Sequence, residues 1–228
     1  FPLHVWLPDA HAIAPTPINA VSSALMVKLG IVGVLRVFGL FAAAEVVSMA
    51  PLYEVLAWLG ALSVLAGAFF ALFQQDIKLM LAYSTISNIG YIVLGLGLTG
   101  ELAVTGATIH VLNHALIKAT LFLAAGAMLH QSGFRTLGDL RGIGRVMPWT
   151  SLALLIGVLA VAGVPPTAGF IGKWYIALGA LEGGRPGFAL VVLLGALLVF
   201  MYLGRMLNAF YFRAPRQERM LAVREAPA

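Results

Sequence analysis

Apolar segments of about 20 residues or more follow one another along almost the whole chain. A segment of that length covers the hydrocarbon core of a bilayer when it is helical. In lipid, every backbone polar group must be satisfied inside a helix or a closed barrel, and the alternating ten-residue pattern of barrel strands is absent. The 228 residues are 61% hydrophobic and 10% charged, whereas about 25% is charged in soluble domains. The sequence therefore predicts an all-α, polytopic helical membrane protein.

We predict about six transmembrane crossings in a single membrane domain, residues 1–228, with one crossing broken by prolines. The predicted spans are residues 17–40, 52–74, 78–98, 102–130, 149–182 and 188–212. Pro165 and Pro166 break the fifth span, because prolines remove helix hydrogen bonds and clash with the preceding turn. Two half-helices joined inside the membrane are expected there.

The loops between these spans differ in charge. Residues 1–16, the 131–148 loop and the basic tail 213–228 fall on one side, and most glutamates of the other loops fall on the opposite side. The positive-inside rule predicts that the basic side is cytoplasmic, in a multi-pass protein of the cell inner (plasma) membrane. We therefore interpret the formal net charge of +5 as loop charge that sets orientation, with no nucleic acid as partner.

Redox and metal chemistry have little support in the sequence. The chain contains no cysteine, which excludes disulfides and thiolate sites, and no iron–sulfur or nucleotide motif is present. We expect no cofactor, and any redox chemistry would belong to a partner. The opening FPLHVWLPDAH resembles the interior of a longer sequence, so we expect a fragment of a longer parent.

Three protonatable side chains recur at four-residue steps in the predicted span 102–130. His110, His114 and Lys118 would lie on one face of a helix. Ionisable groups inside the membrane are costly and mark functional sites, and histidine titrates near neutral pH. We therefore predict a proton relay. Two alternatives stay open: the histidines hydrogen-bond neighbouring helices and only hold the bundle together, or they ligate a metal or haem, although no carboxylate or thiol lies nearby in the span.

Two lysines complete the candidate relay. Lys28 lies near the centre of the first predicted span, where desolvation disfavours the cation and neighbours can switch its charge state. Lys173 follows the proline break, where freed backbone groups bind ions or order water. Either lysine could instead extend to the headgroups. Lys78 is assigned to a solvated turn, and Ser84 and Asn88 are assigned to packing between helices.

Four blocks of sequence resemble the antiporter-like membrane subunits of respiratory complex I, multisubunit sodium/proton antiporters and membrane-bound hydrogenases. In chain order they are FPLHVWLPDAHAIAPTPINAVSSALMVKLGIVGVLR, QQDIKLMLAYSTISNIGYI, NHALIKATLFLAAG and GVPPTAGFIGKWYIALG. The resemblance implies two inverted five-helix repeats, each with a broken helix, and a polar axis through the middle of the membrane. This chain would be the C-terminal half, without the first repeat and its Glu–Lys pair.

The same resemblance implies a role for each candidate residue. Lys28 falls at the family's central lysine, which links two half-channels, and Lys173 falls at the broken-helix position that faces the exit half-channel. Some members carry Glu at that second position. His114 and Lys118 fall on the helix that connects the two lysines. The block that contains Lys173 looks closest to the antiporter D-type subunit and the quinone-proximal complex I subunit.

The implied function is a proton-translocating subunit of a multisubunit membrane complex, either an NADH:quinone oxidoreductase or a cation/proton antiporter. Its partners would be other membrane subunits and the lipid bilayer, and the transported ion H⁺, with Na⁺ left open. The chain would not be catalytic alone, only a subunit of a proton-translocating NADH dehydrogenase at most. The alternatives are a stand-alone secondary transporter that binds an anionic solute at the lysines, and a structural or haem-anchoring subunit.

Overall fold

The computed structural model describes residues 4–43, 48–215 and 223–226. Within these ranges every regular element is a helix, apart from an isolated bridge between Asp76 and Thr136. The elements are α1 (Trp6–Ile13), α2 (Thr16–Val21), the π-helix π1 (Ser22–Met26), α3 (Val27–Ala43), α4 (Ala50–Phe73), α5 (Ile77–Gly97), α6 (Glu101–Ser132), α7 (Ile143–Val146), α8 (Pro148–Ala162), α9 (Ala168–Glu182), α10 (Pro186–Leu207) and the π-helix π2 (Asn208–Phe212).

Five helical stretches in the described residues are long and apolar enough to cross a membrane. They are Thr16–Phe41, Ala50–Phe73, Ile77–Gly97, Glu101–Ser132 and Pro186–Phe212. The shorter apolar helix α8 is followed by α9 after a non-helical segment. The predicted all-α polytopic class, with one proline-broken helix, is confirmed.

The interruption lies between Ala162 and Ala168. Gly163 ends α8 with φ of +82°, a left-handed conformation that glycine adopts without the steric penalty of a Cβ. Pro165 and Pro166, joined by a cis peptide bond, occupy the non-helical segment. Because no helical N–H follows in register, carbonyl groups at the end of α8 are free to accept hydrogen bonds from side chains.

Polar contacts at the two ends of the bundle connect different segments. At one end, Arg135 Nε lies 3.1 Å from Asp76 Oδ2, and Arg205 Nη2 donates to the α4–α5 turn at 3.2 Å. At the other end, Arg185 and Glu54 form an ion pair. The turn before α5 and the loop after α6 thus lie at one end of the bundle, and the starts of α4 and α10 lie at the other. Helices that cross the membrane in alternating directions place their connections in this way.

Two local assignments from the sequence are wrong. The segment 1–16 is not only loop, because residues 6–13 form α1, a helix too short to span, which packs on α5 and buries Leu7 and His11. Lys78 is not solvated: it is 8% exposed, and its Nζ donates to Ala14 O at 3.1 Å. The physical reason is that the connection between α1 and α2 covers the first turn of α5. Parts of the predicted first loop (1–3) and tail (216–222 and 227–228) lie outside the described residues.

Candidate functional site

Buried ionisable side chains are unusually numerous in the bundle. All four lysines of the chain are buried, and so are three of its five histidines. These residues are Lys28, Lys78, Lys118, Lys173, His11, His110 and His114. Among the described residues no aspartate or glutamate is buried with them. The interior therefore lacks the carboxylates that would hold these groups in permanent ion pairs.

Helix α6 carries the middle of this set. His110 and His114 are fully buried and stack on each other, with ring centroids 6.0 Å apart and ring planes 11° apart. Lys118 follows one turn later and is also inaccessible to solvent. The α-helical period therefore places the three predicted residues on one face, because α6 is unbroken from Glu101 to Ser132.

The two histidines differ in their hydrogen bonds. His110 Nε2 lies 3.2 Å from Asn88 Oδ1, and Asn88 Nδ2 donates to Ser84 O at 2.8 Å. Because the Asn88 oxygen faces the ring, Nε2 of His110 carries the hydrogen. Neither ring nitrogen of His114 has a hydrogen-bond partner among the described protein atoms. The alternative that the histidines only hold the helices together by hydrogen bonds is thus supported at His110, which has such a bond, and not at His114, which has none.

Lys118 is anchored on α5. Its Nζ donates to Leu81 O at 2.7 Å and to Ser84 Oγ, and it lies 5.9 Å from the centre of the Phe122 ring. Ser84, which sequence reasoning assigned to packing, is thus a direct partner of a candidate relay residue. Its hydroxyl also donates to Leu81 O at 2.8 Å, so it can orient the ammonium or amine group of the lysine.

His11, on α1, is a further member of the site that sequence reasoning did not assign. Its ring packs against Phe122, with centroids 5.3 Å apart, and the charge of Lys118 acts on it. Burial, followed by repulsion from Lys118, lowers the pKa of His11 to about 4. The imidazole is therefore neutral at physiological pH.

Lys28 is the second residue of α3, which follows the wide turn π1 directly in the chain. Its Nζ donates to Ser23 O in that turn, and Ser23 Oγ lies 3.0 Å from Thr85 Oγ1 on α5. Lys28 also lines a cavity together with Thr108 and Val111 of α6. Lys28 thus faces α6, and no ion pair in the described residues joins it to a carboxylate.

Lys173 uses the carbonyl groups that the helix break leaves free. Its Nζ donates to Val161 O at 2.6 Å and to Ala162 O at 3.4 Å, and lies 4.5 Å from the centre of the Tyr91 ring. The Tyr91 ring also contacts His110, with ring centroids 6.0 Å apart at 71°. Tyr91 therefore contacts both Lys173 and His110.

Close contact between α6 and α9 determines how near Lys173 lies to His110. A Cβ at Gly172 would lie 2.8 Å from His110 Cβ, and a Cβ at Gly106 would lie 2.8 Å from Gly172 O. Small residues allow two transmembrane helices to approach in this way. The glycines therefore hold the helix of Lys173 against the helix of His110.

The α5 partners of the candidate residues share a recognisable spacing. Ser84, Asn88 and Tyr91 follow one another at steps of four and three along α5 and so lie on one helix face. That polar face meets the polar face of α6. His11 had no such signal, because its partner Phe122 lies far away in the sequence.

The positions of the histidines bear on the alternative of a metal site. In the part of the chain that the structure describes, no three His, Cys, Asp or Glu side chains converge. The parallel stacking of His110 and His114 also directs the rings alongside each other and not toward one point. The neutral forms of lysine and histidine accept a proton, and the protonated forms release it.

Comparison with known proteins gives consistent matches. NADH-quinone oxidoreductase subunit N of Desulforudis audaxviator is 39% identical over 227 residues, covering 100% of this chain and 45% of that protein. A chain of the membrane-bound sulfane sulfur reductase, an archaeal respiratory membrane complex, superimposes with a TM-score of 0.90 at 33% identity over 100% of this chain and 45% of the other. A chain of the Mrp complex from Dietzia sp. gives 0.88 at 28% identity, covering 94% and 39%.

The chain thus spans less than half the length of these relatives. The family described as "NADH:quinone oxidoreductase/Mrp antiporter, TM" matches residues 1–199, which include all the candidate relay residues. On this match and these identities, the chain belongs to the family of NADH:quinone oxidoreductase and Mrp antiporter transmembrane subunits.

Proposed function

We propose that the buried row from Lys28 through His114 and Lys118 to His110 and Lys173 conducts protons. The single observation that carries this proposal is a row of buried bases without a buried carboxylate in the described residues. Such a row cannot hold a full set of positive charges, because each cation is desolvated and repelled by the next. Protons can therefore occupy only some members at a time, which is the condition for a relay.

Repulsion between neighbours is large enough to move a proton. Two unit charges 6 Å apart interact by about 3 kcal/mol at an effective dielectric constant of about 20, and the stacked rings of His110 and His114 are 6.0 Å apart. About 3 kcal/mol corresponds to roughly a hundredfold change in a protonation equilibrium. A proton on one of these two histidines would thus strongly disfavour a second proton on the other.

The break between α8 and α9 has a defined role in this proposal. The carbonyls of Val161 and Ala162 stabilise the protonated form of Lys173 by accepting its hydrogen bonds. A lysine held at a helix end in this way can receive a proton and later release it when its neighbours change charge. Pro165 and Pro166 are the residues that keep those carbonyls out of a continuous helix.

The parent protein, in this proposal, is a proton-translocating subunit of a multisubunit membrane complex. The relatives are an NADH-quinone oxidoreductase subunit and members of an archaeal respiratory complex and an Mrp complex. Other membrane subunits and the bilayer are the expected partners, and H⁺, or H⁺ together with Na⁺, is the expected ion. We place the complex in the cell inner (plasma) membrane, with the basic end of the bundle in the cytoplasm.

A stand-alone transporter of an anionic solute is less well supported. The cavity of about 310 Å³ beside Lys28 is otherwise lined by Thr108 and by apolar side chains of π1, α3, α5 and α6, and Lys173 is not among its lining residues. Lys28 donates to Ser23 O in π1, and Lys173 donates to Val161 O in α8, so the two lysines do not share an acceptor. An anion site would need donors that converge on one cavity.

The test is proton uptake by vesicles that contain the full-length parent in its complex. Lys28→Met and Lys173→Met keep the volume of each side chain and remove its titratable group. We expect at least a tenfold loss of proton uptake in each variant, with normal assembly of the complex. His130→Gln is the matched control, since His130 is exposed near the end of α6 and should transport at the wild-type rate. Normal uptake in both methionine variants would show that these lysines are not on the path.

A further inference from the structure

A polar cavity lies at the opposite end of α10 from the Arg185–Glu54 ion pair. It has a volume of about 200 Å³ and is bounded by the end of α10, by the turn before α5 and by the loop after α6. Arg141, Arg205 and Arg213 line it together with the amides of Gln75 and Asn208. The remaining lining residues are apolar or glycine, and no carboxylate is among them.

We propose that this cavity, the arginine cavity, binds a phosphate group, either that of an anionic lipid headgroup or free inorganic phosphate. Neither of the ion pairs found in the described residues involves any of its three arginines. Three guanidinium groups that share a small space repel one another, and an anion between them removes that repulsion. The planar fork of each guanidinium matches the oxygen geometry of phosphate.

The walls of the arginine cavity are held in place by backbone hydrogen bonds between distant segments. Leu137 N donates to Gln75 O at 2.9 Å, and Gly142 N donates to Ala209 O at 3.0 Å. These bonds tie the loop after α6 to the turn before α5 and to π2. The cavity is therefore a formed site with a fixed shape, and binding does not require the loop to be ordered first.

Two of the arginines are positioned by contacts that leave most of their N–H groups free. Arg205 uses Nη2 to donate to Gln74 O at 3.2 Å, and Arg213 uses Nε to donate to Asn208 Oδ1 at 3.4 Å. Each guanidinium carries five N–H donors. The contacts thus direct the side chains while several donors of each remain for a ligand.

The π-helix π2 explains why residues eight apart reach the same cavity. At about 100° per residue, an α-helix would place Arg213 about 80° around the axis from Arg205. Arg213 N donates to Asn208 O at 3.1 Å, five residues back, so the turn accommodates one extra residue. That extra residue reduces the offset to about 20°, and both side chains line the cavity.

The position of the cavity fits lipid as one source of the phosphate. Arg205 lies in the last turns of the span Pro186–Phe212, and Arg213 follows directly after it. Basic pockets at the ends of transmembrane helices bind anionic headgroups. Because free phosphate offers the same oxygens, the experiment must separate the two sources. The proposal does not depend on the proton row.

The experiment uses the full-length parent in its complex, purified in detergent and delipidated. Phosphatidylglycerol and the zwitterionic phosphatidylcholine are titrated in turn and counted by native mass spectrometry, and radiolabelled inorganic phosphate is measured by equilibrium dialysis. Arg141→Gln, Arg205→Gln and Arg213→Gln are compared with the wild type. Arg145→Gln is the matched control, because Arg145 is exposed on α7, in the same connection between α6 and α8, and does not line the cavity.

We expect each of the three variants to weaken binding about fivefold, while Arg145→Gln binds like the wild type. If the effect is on phosphatidylglycerol, the ligand is a lipid headgroup, and if only inorganic phosphate responds, it is free phosphate. The proposal is overturned if neither probe responds to the three substitutions or if Arg145→Gln has the same effect. If phosphatidylcholine binds as tightly as phosphatidylglycerol, the lipid headgroup is excluded as the source of the phosphate. Since Arg213 is exposed, Arg213→Gln keeps the test valid should the other variants fail to assemble.

Discussion

Replacing Gly172 with alanine should damage proton transfer without changing any titratable group. An ideal Cβ at this position lies 2.8 Å from His110 Cβ, 3.0 Å from His110 Nδ1 and 3.1 Å from Gly106 O. Carbon atoms prefer separations of about 3.5–4.0 Å. The helices α6 and α9 must therefore separate by about 1 Å, or His110 must turn away.

The energetic cost follows from the same geometry. Inserting a methyl group into a packed contact costs about 1–3 kcal/mol, and two of the three close atoms are the Cβ of His110 and a backbone oxygen, which cannot rotate away. Movement of α9 also shifts Lys173 away from Tyr91 and from Val161 O, which accepts a hydrogen bond from Lys173 Nζ at 2.6 Å in the wild type. A misplacement of about 1 Å at a reacting group can reduce a rate about a hundredfold.

The measurement is proton uptake by vesicles containing the complex, together with its thermal unfolding midpoint. We expect Gly172→Ala to lower both, with transport reduced at least tenfold. Gly204→Ala is the matched control, because nothing lies within 4 Å of a Cβ at Gly204 in α10. Wild-type transport in Gly172→Ala would refute the argument that α6–α9 contact positions the relay.

Two other predictions concern the contacts of Lys118. The pKa of His11 is about 4 in the folded protein and 6.5 without burial, so the unfolded segment gains a proton first as the pH falls. The docking of α1 should therefore lose up to ~3 kcal/mol between pH 6.5 and 4. Hydrogen exchange of the α1 amides should show this loss in the wild type and in His130→Gln, and a loss that persists in His11→Phe would contradict the assignment to His11. Ser84→Ala removes one of the acceptors of Lys118 Nζ and should destabilise the complex by about 1–3 kcal/mol. The measurement is the thermal unfolding midpoint, which should fall. An unchanged midpoint would show that the hydrogen bond to Leu81 O alone is enough to satisfy Lys118.

Much of the site was foreseeable from local patterns in the sequence. Hydropathy is a property of consecutive residues, so it locates the membrane spans without knowledge of their neighbours. The helical period alone places His110, His114 and Lys118 on one face. Two adjacent prolines likewise predict the break before Lys173, because their effect on the helix is local.

The partners of those residues could not be foreseen in the same way. Asn88 and Ser84 are ordinary polar residues of a transmembrane helix until α5 and α6 pack face to face, and then one contacts His110 and the other Lys118. Lys78 resembles a solvated residue of a turn, yet the chain near Ala14 covers it. Each of these contacts joins segments distant in the sequence.

The contrast has one physical cause. Membrane insertion and helix formation depend on residues within about one or two turns of each other, so the order of apolar, polar and proline residues determines the spans, the break and the stripe on α6. The distances between bases, and the meeting of three arginines at the end of α10, depend on how helices far apart in the chain pack together. In this protein that packing is set by glycine contacts such as Gly106 against α9 and by backbone hydrogen bonds between loops, which no local pattern in the sequence encodes.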